Sequence, residues 1–231
     1  MGCNPRVWGI QPFSMSKEDQ LRRILECGIV AVVRSPDSEQ LVEVCRALAD
    51  GGVTVAEITM TVPDALTVLG RVRAALGDRV LLGAGTILDP ETARAALLAG
   101  AEYIVAPNLN LEVIRICQRY SKVVMPGAFT PTEILTAWEA GADVVKVFPA
   151  DVLGPAFFKA VRAPLPQVRM MPTGGVDLKT AADFLRAGAC CLGIGGQLVE
   201  QKAVAERNFD RIRDLARQYV AIVQQARKSM V

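Results

Sequence analysis

Histidine is absent from all 231 residues. A Ser-His triad, an HExxH zinc site and an imidazole base are therefore excluded, and any catalysis falls to Lys, Glu, Asp, Cys, Tyr or bound ligands. Charge of either sign in excess is missing too. Lys and Arg number 26 against 24 Asp and Glu, a net charge of +2, which leaves no electrostatic footprint for nucleic acid or an anionic membrane. No apolar run approaches the roughly 18 residues of a membrane span. The six cysteines (Cys3, Cys27, Cys45, Cys117, Cys190, Cys191) contain no CxxC pair, so neither a zinc cluster nor a disulfide framework is readable. They read as small buried hydrophobes of a reducing cytosol, with Cys190 and Cys191 on opposite faces of a strand. The opening segment lacks the basic-then-apolar pattern of a signal peptide, and position 6 is Arg rather than the Ser or Thr of a myristoylation motif. Residues 1–15 are expected to be a disordered extension, with Met15 a candidate start.

What the chain does have is apolar residues, 51% of the total, arranged with a period. Short runs rich in β-branched residues recur: IVAVVR (29–34), VAEITM (55–60), LLGAGT (81–86), YIVAP (103–107), VVMPGA (123–128), VVKVFPA (144–150), VRMMPTGG (168–175) and CLGIGG (191–196). Their starts lie 20 to 26 residues apart, the room that a strand, a crossover helix and two loops require, so the strands are expected to be parallel. Eight of them predict an α/β fold, a single (β/α)8 TIM barrel. SEQLVEVCRALADGG, DPETARAALLAGA, TPTEILTAWEAGA and DLKTAADFLRAGA each open on a capping residue or Pro and close near Gly, as crossover helices should. SKEDQLRRILEC (16–27) predicts an extra N-terminal helix behind Ser16, and the tail from about 203 to 229 predicts the last one. No linker breaks the pattern, so 16–231 reads as one domain.

Active sites of such barrels lie at the C-terminal ends of the strands. Alternation in VVKVF puts Val144, Lys146 and Phe148 on one face, and because the other face must pack on helices, Lys146 points inward. An ammonium among Val and Phe is poorly solvated. Its pKa falls, and a neutral amine able to form a Schiff base becomes accessible near neutral pH. The same parity in VAEITMT gathers Glu57, Thr59 and Thr61 inward. Each charge alone reads equally well as half of a buried salt bridge or, for the lysine, as a snorkelling side chain. Two interior charges on different strands favour catalysis. The glycine-rich ends Gly83-Ala84-Gly85-Thr86, Pro172-Thr173-Gly174-Gly175 and Gly193-Ile194-Gly195-Gly196 offer backbone amides to a phosphate, or merely turn the chain tightly.

GGVTVAEITMTVPDA, GAGT, VAPNL, PGAFTPTE, VKVFPA and PTGGV, in this order, resemble the 2-keto-3-deoxy-6-phosphogluconate (KDPG) aldolases, also called 4-hydroxy-2-oxoglutarate aldolases, over roughly residues 20 to 200. The resemblance implies a class I, metal-independent, cofactor-free lyase of (β/α)8 fold, cytoplasmic and homotrimeric, acting on a small 2-keto acid. It puts the Schiff-base lysine at Lys146 and the acid/base glutamate at Glu57. Thr86 falls where the family contacts the pyruvate carboxylate, Pro107 and Phe148 where it lines the pyruvyl pocket, and Thr173, Gly174 and Gly175 near the hydroxyl and phosphate end. Gly195 and Gly196 complete that end. Two positions depart from the pattern. Many members carry a carboxylate-gripping arginine where this chain has Thr61. Arg34, at the end of the first strand, is either its replacement or a solvated strand-end arginine. A serine is usual where this chain has Gly196. Two other readings stand beside the aldolase: a barrel that isomerises or condenses a sugar phosphate without covalent catalysis, and a non-catalytic oligomeric barrel.

Overall fold

A computed structural model describes residues 15–229 of the chain. Helix α1 (Lys17–Cys27) opens as its sequence suggests, with the Ser16 hydroxyl accepting from Asp19 N at 3.1 Å. Strands and helices then alternate: β1 (Ile29–Val33), α2 (Leu41–Asp50), β2 (Val55–Thr59), α3 (Ala65–Leu76), β3 (Leu81–Gly85), α4 (Pro90–Leu98), β4 (Tyr103–Val105), α5 (Leu111–Arg119) and β5 (Val123–Met125). The second half follows with β6 (Gly127–Ala128), α6 (Pro131–Glu139), β7 (Val145–Val147), α7 (Ala150–Arg162), β8 (Met170–Pro172), α8 (Ala181–Arg186), β9 (Leu192–Ile194), α9 (Gln201–Ala205) and α10 (Phe209–Lys228). Every strand pairing is parallel.

The ladder differs from the single eight-stranded ring that the spacing suggests. One sheet of six strands runs β5-β4-β3-β2-β1-β9, and another of three runs β6-β7-β8. Proline explains both gaps. Pro126 has no N–H to donate, so the run 123–128 is split into β5 and β6; Pro172 ends β8, which meets β9 through one isolated bridge, Thr173 to Gly193. Side chains from all eight runs nonetheless meet in one interior cluster that includes Val30, Val55, Leu81, Val105, Met125 and Met171. The opposite faces of the strands pack on the helices in the larger outer core. Helix α1 covers the end of the strands away from their carboxyl termini. Its Ile24 enters the interior cluster, and its buried Gln20 donates to Glu102 at 3.1 Å and accepts from Val123 N at 3.4 Å.

Four local expectations need correction. The tail is two helices, because the chain turns at 206–208 with Arg207 at φ 53° and Asn208 restarts the helix by accepting from Arg211 N at 3.1 Å. Helix α2 begins only at Leu41 with no side-chain cap, since Ser38, the expected capping residue, stands a turn earlier and takes Leu41 N on its carbonyl at 3.4 Å. Asp177 likewise holds the N–H groups of Lys179 and Thr180, so α8 starts uncapped at Ala181. Cys190 and Cys191 both precede β9 and so escape strand alternation; their sulfurs lie 3.8 Å apart and both pack on the interior cluster. Cys45, Cys117 and Cys191 are buried, Cys27 and Cys190 half-buried, and Cys3 lies outside the described residues, as do residues 1–14 of the expected extension. Among the described residues no helix is long and apolar enough to cross a membrane.

Interior space is made by leaving side chains out. A Cβ on Gly83 would come within 2.4 Å of the Tyr103 ring, and one on Gly85 within 2.4 Å of Glu57 Oε1. The Tyr103 ring is rigid and fully buried, so it has no room to retreat. Gly83→Ala is therefore expected to destabilise by about 1–3 kcal/mol through overpacking, read as a fall in the urea midpoint at unchanged m-value.

Candidate active site

Strand parity decides which polar groups face inward. In β7, Val145 and Val147 join the outer core while Val144 joins the interior cluster, so Lys146 projects to the inside, where it is 6% exposed. In β2, Ala56 and Ile58 pack outward and Val55 inward, and Glu57 is 1% exposed on the inner face. No ion pair joins the two, yet each feels the other's charge. Burial, the dominant cause, pushes the Glu57 carboxyl up and the Lys146 ammonium down. Their mutual attraction opposes both shifts, and the Arg34 guanidinium lowers both values. The Lys146 amine lies 5.2 Å from the Phe148 ring centre, a cation–π distance when it is protonated. Both Glu57 oxygens, the Tyr103 hydroxyl and Thr173 Oγ1 are buried without a hydrogen-bond partner.

The other candidate residues stand at the carboxyl ends of the strands. Arg34 directly follows β1 and is exposed; Thr61, two residues past β2, is exposed and shares a 2.8 Å hydrogen bond with the Thr59 hydroxyl. Thr86 follows β3 with φ 59°, a left-handed conformation that is a strained choice for a β-branched residue. Pro107 follows β4. Its loop is tied to β6 by Gly127 N donating to Asn108 O at 3.1 Å, and Gly127 is the register partner of Lys146. A cavity of about 350 Å³ opens here. Arg34, Phe148, Thr173, Gly174, Gly175, Gly195 and Gly196 line it; Lys146, Glu57, Thr61, Thr86 and Pro107 do not reach its wall. Sequence reasoning missed Gln197 and Gln201, two amides on that wall, and Tyr103, whose inward position strand parity alone could have revealed. Among the described residues no group of three or more Cys, Asp or Glu side chains is arranged to hold a metal.

The arrangement supplies an interior amine destabilised as a cation, a buried carboxylate, and a glycine-rich mouth. The aldolase family model for KDPG and KHG aldolases matches residues 21–215. The chain belongs to this aldolase family. A 2-dehydro-3-deoxy-6-phosphogalactonate aldolase of Escherichia coli K12 is 34% identical over 85% of this chain and 96% of its own. A 2-dehydro-3-deoxy-phosphogluconate aldolase of Treponema pallidum is 36% identical over 84% and 93%. Among solved structures, a KDPG aldolase from Legionella pneumophila, with pyruvate captured as a covalent carbinolamine intermediate, superposes with a TM-score of 0.80 at 26% identity, covering 89% of this chain and 98% of that one. KDPG aldolases are lyases that work through a Schiff base without metal. A 3-hexulose-6-phosphate synthase superposes with a TM-score of 0.66 at 18% identity over 84% of this chain and 98% of that one, a likeness of fold alone.

Within an aldolase of this kind the two interior charges should cost stability. Burial makes the folded chain keep the Glu57 proton above 4.5, its ordinary value, and release the Lys146 proton below 10.5. Stability contributed by Glu57 thus falls as pH rises from 4.5 through its folded value, and that from Lys146 falls as pH drops from 10.5 through its own. Replacing both at once by apolar residues, Lys146→Met with Glu57→Leu, is expected to raise stability at pH 7 by about 1–4 kcal/mol, measured by denaturant unfolding.

Proposed function

We propose that this chain cleaves 2-keto-3-deoxy-6-phosphogluconate to pyruvate and D-glyceraldehyde 3-phosphate, and takes 4-hydroxy-2-oxoglutarate, split to pyruvate and glyoxylate, as a second substrate. The observation that carries this reading is Lys146, an amine held on the inner face of a parallel sheet, out of water and out of any ion pair. Neutral Lys146 attacks the C2 ketone to form a carbinolamine, which loses water to give an iminium. Glu57 takes the C4 hydroxyl proton as the C3–C4 bond breaks, the aldehyde departs, and the electron pair passes into the iminium to leave an enamine. Protonation at C3 and hydrolysis release pyruvate and restore the amine. Arg34 is assigned the substrate carboxylate in place of the family arginine, together with Thr86 and Thr61, and Pro107 and Phe148 are assigned to the pyruvyl pocket. Thr173, Gly174, Gly175, Gly195 and Gly196 take the hydroxyl and phosphate end.

We further infer that the two sheets belong to one (β/α)8 barrel with α1 as an added helix, that 16–231 is a single domain, and that the protein is a cytoplasmic homotrimer. The shared interior cluster and the Thr173–Gly193 bridge support the closure. Oligomerisation is supported by the exposed Leu88, Leu98 and Val152, and by a TM-score of 0.81 at 32% identity, over 87% of this chain and 74% of the other, to a protein cage designed by fusing symmetric oligomeric domains.

Borohydride in the presence of saturating pyruvate tests the covalent step. The expected outcome is a permanent mass increase on Lys146 and its loss in Lys146→Arg, whose guanidinium stays protonated and cannot attack a ketone. Cleavage by Lys146→Arg above about a thousandth of the wild-type rate would contradict the role.

Gly196 removes one hydroxyl donor from the phosphate end but leaves the backbone amides. Phosphate preference is therefore expected to survive, weakened by only about 0.5–1.5 kcal/mol, a factor of roughly 2 to 13 that Gly196→Ser should restore. The measurement is kcat/KM for both substrates, with both C4 epimers of the phosphorylated acid included because relatives named for each match this chain. Absence of any phosphate preference, together with a large one in Gly196→Ser, would make the unphosphorylated keto acid the substrate.

A further inference from the structure

Tyr103 is fully buried, and nothing in the covalent mechanism uses it. It stands on one rung with Glu57: Glu57 pairs with Gly83, and Gly83 with Tyr103, so the only residue between them in register is a glycine with no side chain. The ring lies over that glycine. A Cβ on Gly83 would meet Cε2 and Cζ at 2.4 Å, which places the hydroxyl-bearing end of the ring above β3, on the way to β2. Glu57 in turn leans over Gly85. The hydroxyl has no hydrogen-bond partner, and neither have the two carboxylate oxygens. A phenylalanine would fill the same space, so a hydroxyl kept out of water here requires an acceptor. The ionised carboxylate can only accept, and burial together with the Glu57 charge keeps the phenol protonated, hence a donor.

We propose that Tyr103 is a positioning residue for the Glu57 carboxylate, its hydroxyl donating to Glu57 through one bridging water. The inference deepens the aldolase reading and rests on it. The carboxylate is faced by Lys146 from β7 and by Arg34 from the end of β1, both cationic when protonated, and by the Tyr103 phenol from β4. The two cations act at a distance. The hydroxyl can fix which carboxylate oxygen remains free to take the substrate's proton.

The test is the pH profile of aldol cleavage. A donor to the ionised form favours ionisation, so Tyr103→Phe should move the acid limb of kcat upward by about one pH unit and lower kcat at neutral pH roughly 3- to 30-fold. KM should stay within about twofold, and borohydride trapping with pyruvate should persist. In a Glu57→Gln background the same substitution should add little, since the group through which it acts is gone. 3-Fluorotyrosine at position 103 keeps the shape and strengthens the donor, so it should move the acid limb downward; that variant carries the test should Tyr103→Phe fail to fold. An unmoved pH profile in the folded variant, or a loss that adds fully to that of Glu57→Gln, would overturn the proposal. Failure of the wild type to trap pyruvate strikes the aldolase reading instead, whereas trapping with an unmoved profile strikes Tyr103 alone.

Discussion

Two ionisable side chains of opposite sign sit inside a parallel sheet without touching, and much else in the fold serves to keep them so. If Glu57 stood within hydrogen-bond distance of Lys146, the pair would hold the lysine as an ammonium and remove the nucleophile. If neither were buried, solvation would do the same. The intermediate arrangement, desolvated but not paired, favours the neutral amine, and it needs strands that do not shift. The outer core provides this rigidity: both flanking residues of each charge, Val145 and Val147, Ala56 and Ile58, are locked against helices. Space on the inner side comes from Gly83 and Gly85, whose missing side chains admit Tyr103 and Glu57. Charge and void are thus paired along adjacent strands.

The remainder of the site follows a different rule. Residues assigned to the chemistry lie within strands and are buried, whereas those assigned to substrate recognition lie one to three residues beyond strand ends. Phe148, 38% exposed, marks the boundary, close enough to Lys146 for ring contact and open to the cavity on its other side. Backbone strain falls at this boundary too, with Thr86 in a left-handed conformation at the end of β3. Substrate preference can change in the glycine loops without disturbing the core, since loop residues contribute little to it.

Lys146 and Glu57 were legible in the sequence because a strand's period of two is strict: once the neighbours are apolar on both sides, only the inner face is left for a charge. The parallel pairing of the strands was legible from the spacing of the runs. Failures came where one residue overrides a pattern. Pro126 sits within an apolar run, and apolarity conceals that it cannot donate to a ladder. Asn208 restarts a helix inside what reads as continuous amphipathic sequence. Cys190 and Cys191 escape alternation because the strand begins only after them. Tyr103 was passed over because an aromatic in a strand reads as core; that its hydroxyl has no partner is a fact of three dimensions, set by Gly83 on the neighbouring strand. The lining amides of Gln197 and Gln201 carry no periodic signal at all.

The exchange of the family arginine for Thr61 looks at first like the loss of a substrate contact; we propose a transfer to Arg34 instead. Strands β1 and β2 are adjacent, with Val33 opposite Ile58, so Arg34 emerges at the same mouth as Thr61 from the neighbouring strand. Thr61 is occupied with the Thr59 hydroxyl and leaves the charge to Arg34. A guanidinium in that place, proposed here for the substrate carboxylate, also acts on the interior. Its field reaches both interior groups, stabilising the ionised Glu57 and opposing protonation of Lys146, the two charge states that a Schiff-base mechanism needs before substrate arrives. An arginine on either strand could meet the substrate. What matters for the amine is that one cation remains at the mouth, near enough to be felt and too far to donate to Glu57.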